Sequence, residues 1–310
     1  MKAWWKNKPV LWILQQSKKI VLPGFRGVSL YSVTAFYIEG IIEGAITTRA
    51  SSLAFNFFLA FFPSVIVLFS LIPYIQIEGF QEELFILLQD VFPPKTYEAT
   101  KSTLDDIVNN QHGGLLSIGF LFAIYFSTNG VNSLIEAFNA TIHIKESRTL
   151  LKQRLVSLWL TGILGLLLLL AIIFILSTQN FMDYLVRKEL ISDVVRNTIL
   201  QSKWIVLSTL LYAGISCLYY FGPTSTKKWR FFSPGSITAT LVMIGTSLAF
   251  SYYVDHFAKY NKLYGSIGTL MIVLLWMYFN SIILLLGFEL NASILYAKSL
   301  SDENGQSKLH

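Results

Sequence analysis

The sequence encodes an all-α, polytopic membrane helical bundle with six transmembrane helices, and three features lead there. Hydrophobic residues make up 54% of the 310 positions and charged residues only 14%, whereas a soluble domain carries about 25% charged residues. A soluble core of this size cannot house so much apolar surface, but lipid can. Gaps between charges also repeatedly reach the roughly 20 mostly apolar residues that a bilayer crossing needs. Finally, Lys and Arg gather in alternate connections, the pattern of a chain threaded back and forth.

The elements follow in chain order. Residues 4–22, with Trp4, Trp5, Trp12 and several lysines, suit an amphipathic helix lying in the membrane interface; a loosely packed tail is the alternative. Residues 29–48 are amphipathic rather than spanning. Residues 1–48 therefore form a cytoplasmic N-terminal segment, 49–298 a six-span membrane domain and 299–310 a flexible cytoplasmic tail. The spans fall at about 52–75, 114–136, 155–178, 204–222, 234–255 and 266–290. Lipid offers no partner to a bare peptide group, so each must be helical. In the first loop Phe80, Leu84, Leu87, Leu88 and Val91 recur at helical spacing, which predicts two short helices broken at Pro93 and Pro94. Another short helix is expected within 181–203, and a Gly/Tyr-containing turn at 261–268.

The basic residues orient the bundle. Lys2, Lys6, Lys8, Lys18, Lys19, Arg26 and Arg49 precede the first span; Lys145, Arg148, Lys152 and Arg154 join the second and third; Lys227, Lys228 and Arg230 join the fourth and fifth. The connections on the other side hold about half as many, and the first is acidic. The positive-inside rule then places both termini in the cytoplasm. A net charge of +6 could suit nucleic acid, but these cations flank apolar runs and fit anionic headgroups or topology control better. The single cysteine, Cys217, excludes an internal disulfide and a Cys-rich metal site.

Three stretches resemble one family. They are GAITTRASSLAFNFFLAFFPSVIVLFSLIPYI at 44–75, NGVNSLIEAFNATIHIKES at 129–147 and YGSIGTLMIVLLWMYFNSIILLLGFELNA at 264–292. Together they resemble the YihY/BrkB family of bacterial inner-membrane proteins, over about 30–298. The resemblance implies six spans in a bacterial cytoplasmic (inner) membrane. It brings no agreed activity: the family has carried a ribonuclease label, a serum-resistance label and suggestions of envelope lipid transport. This chain departs from the pattern at Gly44, where an acidic residue is common; Glu43 stands beside it.

Intramembrane polar residues are costly and mark candidate sites. Arg49, Ser52, Asn56, Ala60, Pro63 and Ser70 share one face of the first span, and Pro63 leaves the carbonyl of Leu59 without its helical donor. That face is either a kinked packing surface or the lining of a polar cavity. Asn129, Asn132, Glu136, Asn139 and His143 share one face of the second span, solvated or closing on water. Arg49 and Glu289 should lie at similar depth, which makes them candidates for an ion pair, structural or gating. Asn261, Tyr264 and Gly265 are outer-turn candidates. The fifth span carries Gly235, Ala239, Gly245 and Ala249, small residues spaced for tight helix contact.

No Walker loop, HExxH or nucleophile elbow occurs. No catalytic residue, metal site or cofactor is expected, and nothing supports a nuclease. The expected partners are membrane lipids, with an envelope lipid or small molecule as substrate and no nucleic acid; a homo-oligomer is compatible. Envelope-related transport or lipid handling through a polar cavity facing the cytoplasm is the leading function. A non-catalytic membrane scaffold or assembly factor is the alternative.

Overall fold

A computed structural model describes residues 16–71, 113–141, 148–188, 192–224 and 230–306, with positions 73, 85, 105, 106 and 190; for 254–267 only the backbone is described. The expected interfacial helix around Trp4, Trp5 and Trp12, the two loop helices around Pro93 and Pro94, and His143 lie outside the described residues.

Among the described residues the elements are all helical. They are α1 (Leu30–Glu43), α2 (Ile46–Leu71), α3 (Gly113–Asn139), α4 (Leu150–Arg187), α5 (Asp193–Phe221) and α6 (Pro234–Gln306). Six stretches are long and apolar enough to cross a membrane: Ile46–Val67, Ser117–Asn139, Leu150–Ile175, Val194–Phe221, Pro234–Tyr253 and Leu270–Glu303.

Local chemistry sets the helix ends. Ser29 caps α1, its Oγ accepting from the Ser32 N–H at 3.3 Å. Gly44 closes α1, its N–H donating to the Gly40 carbonyl at 3.0 Å. Ala45 then takes a left-handed φ of 47° to start α2, a conformation that costs a non-glycine residue about 1–2 kcal/mol. Pro63 lies within α2. Ser192 caps α5.

Three expectations change. The short helix anticipated within 181–203 is absent as a separate element: α4 continues to Arg187 and α5 begins at Asp193. The tail expected to be flexible is helical through Gln306, with Lys298 Nζ 2.6 Å from Asp302 Oδ1 one turn on. The backbone at 261–268, expected as a turn, is helical. Yet α6 cannot be a straight rod. The Gly235 N–H donates to Asn291 Oδ1 at 2.8 Å across 56 residues, which a straight helix would hold about 84 Å apart. The chain therefore doubles back between its two apolar stretches, and the fifth and sixth spans are antiparallel neighbours.

The chain packs as two compact units, Met1–Ala54 with Val131–His310, and Phe55–Gly130. In the first, Phe25, Val28 and Val33 are buried with Ile294 and Ala297. The Phe36 and Tyr296 rings meet edge to face at 5.0 Å. The segment around α1 is thus packed into the core against the end of α6. In the second unit, Gly119 lies against Ile66 and Val67, and Gly130 against Phe57, so small residues of α3 admit bulky ones of α2.

Candidate functional site

The first unit brings three helices and a loop together around one buried carboxylate. Glu289 of α6 is 1% exposed, and Arg49 of α2 places Nη2 3.8 Å from its Oε2. The Thr141 hydroxyl, just past the end of α3, lies 2.8 Å from both carboxylate oxygens and donates its proton between them. Arg49 Nη1 donates to the Ala137 carbonyl at 2.6 Å, so the guanidinium also caps the C-terminal end of α3. Among the described residues, Arg49 Nε and Nη2 find no hydrogen-bond partner. Burial first, and then the charge of Glu289, push the Tyr37 phenol of α1 above the ordinary range.

Glycines make the room. A Cβ on Gly40 would run into the Glu289 carboxylate, and one on Gly44 into the Gly40 carbonyl and to 2.8 Å from Arg49 Nη2. This gives a physical reason for Gly44 in this chain: a side chain there would enter the ion pair's space.

The rest of the Gly-x-Glu-Leu-Asn stretch is equally committed. Gly287 faces the Tyr219 hydroxyl and the Ala239 methyl, 2.6 and 2.7 Å from where its own Cβ would stand. Phe288 stacks on Phe138 with centroids 4.1 Å apart. The Tyr219 hydroxyl donates to the Leu284 carbonyl at 2.6 Å. Asn291 accepts from Gly235 N–H at 2.8 Å and donates to Ser233 Oγ at 2.8 Å, pinning the start of the fifth span to the sixth.

The polar face of α3 divides between partners. Asn132 donates to Glu136 Oε1 at 2.7 Å. Gln153 of α4 donates to Asn132 Oδ1 at 3.1 Å and to Glu136 Oε1 at 3.3 Å. Ser157 donates to Asn132 Oδ1 at 3.2 Å. Asn139 instead accepts from the Thr224 N–H at 3.3 Å. Asn56, Pro63 and Asn129 belong to the second unit; Asn56 and Asn129 are half-buried. For Asn261, Tyr264 and Gly265 only the backbone is described, and their surroundings lie outside what the structure describes.

Sequence reasoning missed Gly40, Thr141, Gln153, Ser157, Asn291 and Arg148. Arg148 caps α5, donating to the Gly222 and Pro223 carbonyls at 2.9 and 2.6 Å. A signal existed for two of them: Gly40 and Gly44 form a small-xxx-small pair, and Asn291 is an uncharged polar residue in an apolar span. Among the described residues no three His, Cys, Asp or Glu side chains gather as metal ligands.

A helical membrane protein with six candidate spans, pinned by a buried Arg–Glu pair and a Gly-x-Glu-Leu-Asn lock, is the class this architecture defines. The chain belongs to the virulence factor BrkB family, whose profile matches residues 38–309. It is 29% identical over 257 residues to a ribonuclease-like protein, YfkH, of Bacillus subtilis, covering 83% of this chain and 93% of that one. It is 26% identical to a UPF0761 membrane protein of Aliivibrio salmonicida, over 85% of this chain and 83% of the relative. A UPF0761 membrane protein of Pseudoalteromonas translucida is 27% identical, over 83% and 84%. No solved structure matches.

Proposed function

We propose that this chain is a bacterial cytoplasmic-membrane protein, with both termini in the cytoplasm, that handles an envelope lipid or a similar amphipathic molecule from within the bilayer. The observation that carries the reading is a cavity of 340 Å³ among α4, α5 and α6, lined by Leu164, Leu168, Leu211, Gly214, Met243 and Leu284 among others. Its wall is apolar, which suits an acyl chain rather than a hydrated solute. Arg49 and Glu289, which as cavity-lining residues would favour a polar path, are instead occupied with each other and with Thr141 and Ala137. An apolar crevice among α4, α5 and α6, and not a polar cavity, is therefore the place for such a molecule. The ribonuclease word in the relative's name adds nothing to it, since among the described residues no three His, Cys, Asp or Glu side chains gather to hold a metal for that chemistry.

The test is reconstitution of pure protein in liposomes carrying a panel of labelled envelope lipids. Movement or saturable binding of a lipid is expected, slowed several-fold by Gly214→Leu, which fills the crevice. Rates equal to those of protein-free vesicles for every lipid, with no binding, would sink this reading. They would leave the scaffold alternative, which the tight Gly235–Gly287 approach favours.

A further inference from the structure

α1 is apolar on two opposite sides, and among the described residues protein covers only one of them. Val33, Phe36 and Gly40 face inward: Val33 is buried with Ile294 and Ala297, the Phe36 ring meets Tyr296, and Gly40 meets the Glu289 carboxylate. Tyr31, Ile38 and Ile42 lie on the opposite side, within about 40° of one another at roughly 100° per residue. They are 37%, 51% and 73% exposed, against 1% for Val33. The Leu30 N–H donates to the Ile20 carbonyl at 2.8 Å. That bond sets exposed Ile20, Val21 and Leu22 beside the start of α1 and extends the apolar surface. Thr34 is exposed as well, but its hydroxyl donates back to the Leu30 carbonyl at 2.8 Å and so brings no unpaired donor.

Contacts with α6 give the level of this surface. Gly235, at the start of the span Pro234–Tyr253, approaches both the Gly287 carbonyl and Asn291. Glu289, between those two, is therefore level with the start of that span. α1 meets the same stretch of α6 in descending order, Val33 at Ile294 and Ala297, then Gly40 at Glu289. Its C-terminal end thus points towards the bilayer, and after the turn at Gly44 and Ala45 the first span begins at Ile46. Charge borders the outward stripe instead of crossing it. Glu39 and Glu43 are exposed along one flank. Lys18 stands at the outer end, its Nζ 5.0 Å from the centroid of the Tyr31 ring. An apolar stripe edged by charge, at the level where spans begin, matches the layer between headgroups and acyl chains.

We propose that the outward side of α1 is a lipid-contact surface, which seats α1 in that interfacial layer with Ile42 at the edge of the hydrocarbon and Ile38 about 6 Å further out along the helix. α1 is then held between lipid on one side and the Arg49–Glu289 pair on the other. The inference is independent of the apolar crevice, which lies among α4, α5 and α6.

The test uses the full chain in bilayers of phosphatidylcholine and phosphatidylglycerol, with Cys217→Ala so that a single introduced cysteine carries a fluorophore. Ile38→Cys and Ile42→Cys report on the stripe. Asp302→Cys, about 20 Å beyond Glu289 along α6, is the aqueous reference. Phosphatidylcholine bearing a nitroxide near the top of its acyl chain should quench the label at both isoleucines at least twofold more than at Asp302, and at Ile42 at least as strongly as at Ile38. Iodide in the water should quench in the opposite order. Lipid quenching no greater at either isoleucine than at Asp302 overturns the proposal; strong iodide quenching there would then show a water-facing side, and weak iodide quenching a side covered by protein, such as a second copy of the chain. A second measurement differs in sign between water and lipid. Gln favours a helix at least as well as Ile, so Ile38→Gln with Ile42→Gln would be neutral or stabilising on a water-facing side. In lipid the amides lack partners, and the double variant should unfold at a lower denaturant concentration in bicelles. An unchanged or raised midpoint also overturns the proposal.

Discussion

α4 and the second half of α6 are both apolar enough to cross a bilayer, yet they do different work. Only 6% of the most apolar stretch of Leu150–Ile175 is buried against protein, compared with 39% for Leu270–Glu303. α4 presents Leu166, Leu168, Leu169 and Ile173 outward. α6 turns inward Gly287, Glu289, Asn291 and Ser293 together with Leu285 and Phe288. In water the leucines would be the buried set. In lipid an acyl chain is as apolar as leucine, so leucine gains little from burial. Small and polar residues gain most, because they allow close packing and have no partner in hydrocarbon.

The largest effect is expected at Glu289, the most buried charge of α6. Replacing one partner of a buried ion pair leaves the other charge uncompensated, at about 3–5 kcal/mol. Glu289→Gln and Arg49→Ala are each expected to lower stability by that order, read as earlier unfolding in a detergent or denaturant titration, and to reduce accumulation in the membrane. The double variant should lose less than the sum of the two, because the groups interact directly. Normal accumulation and unchanged unfolding of both single variants would show that the pair does not hold the helices together.

Smaller changes at the same place separate space from charge. Gly40→Ala keeps every charge but places a methyl in the volume of the Glu289 carboxylate. Overpacking of this kind costs about 1–3 kcal/mol, and the upper end is expected here because the blocked atoms are those of an ion pair. Thr141→Val keeps the volume and removes the hydroxyl that donates to Glu289. A hydrogen bond to a charged group contributes about 1.5–3 kcal/mol, with the lower end expected because Arg49 still faces the carboxylate. If Thr141→Val proves as damaging as Glu289→Gln, the threonine and not the arginine is the main partner.

How far the sequence discloses this division depends on the residue. The spans were legible because a charge in lipid is costly wherever the helix faces, so gaps between charges report crossings without knowledge of partners. The polar face of α3 was legible for the same reason, but its partners were not: spacing places Asn132 and Glu136 on one side of a helix and says nothing of Gln153 and Ser157 across from them. The packing of α1 into the core was hidden because an amphipathic period does not distinguish a headgroup layer from a protein neighbour. Thr141 was hidden most thoroughly, since a threonine just past a helix end is ordinary until a carboxylate 148 residues away is seen to meet it. The doubling back within α6 is fixed by contacts between its ends, and these have no local signature.

The smallest expected effect tests the other side of the comparison. Leu169 is 50% exposed on α4, and where that face meets lipid its side chain has the same surroundings in the folded and the unfolded-in-membrane states. Leu169→Ala therefore removes few protein contacts and leaves no cavity, so the change in stability should stay below about 0.5 kcal/mol. Burying the same leucine in a soluble core and truncating it would cost about 2–5 kcal/mol. A loss of that larger size at Leu169 would mean that α4 is covered by protein in the membrane, by a second copy of the chain or another subunit, and that its apolar surface is an interface and not a lipid face. Crosslinking between cysteines placed on the outward face of α4 would then separate a second copy, which yields a dimer of this chain alone, from a different subunit.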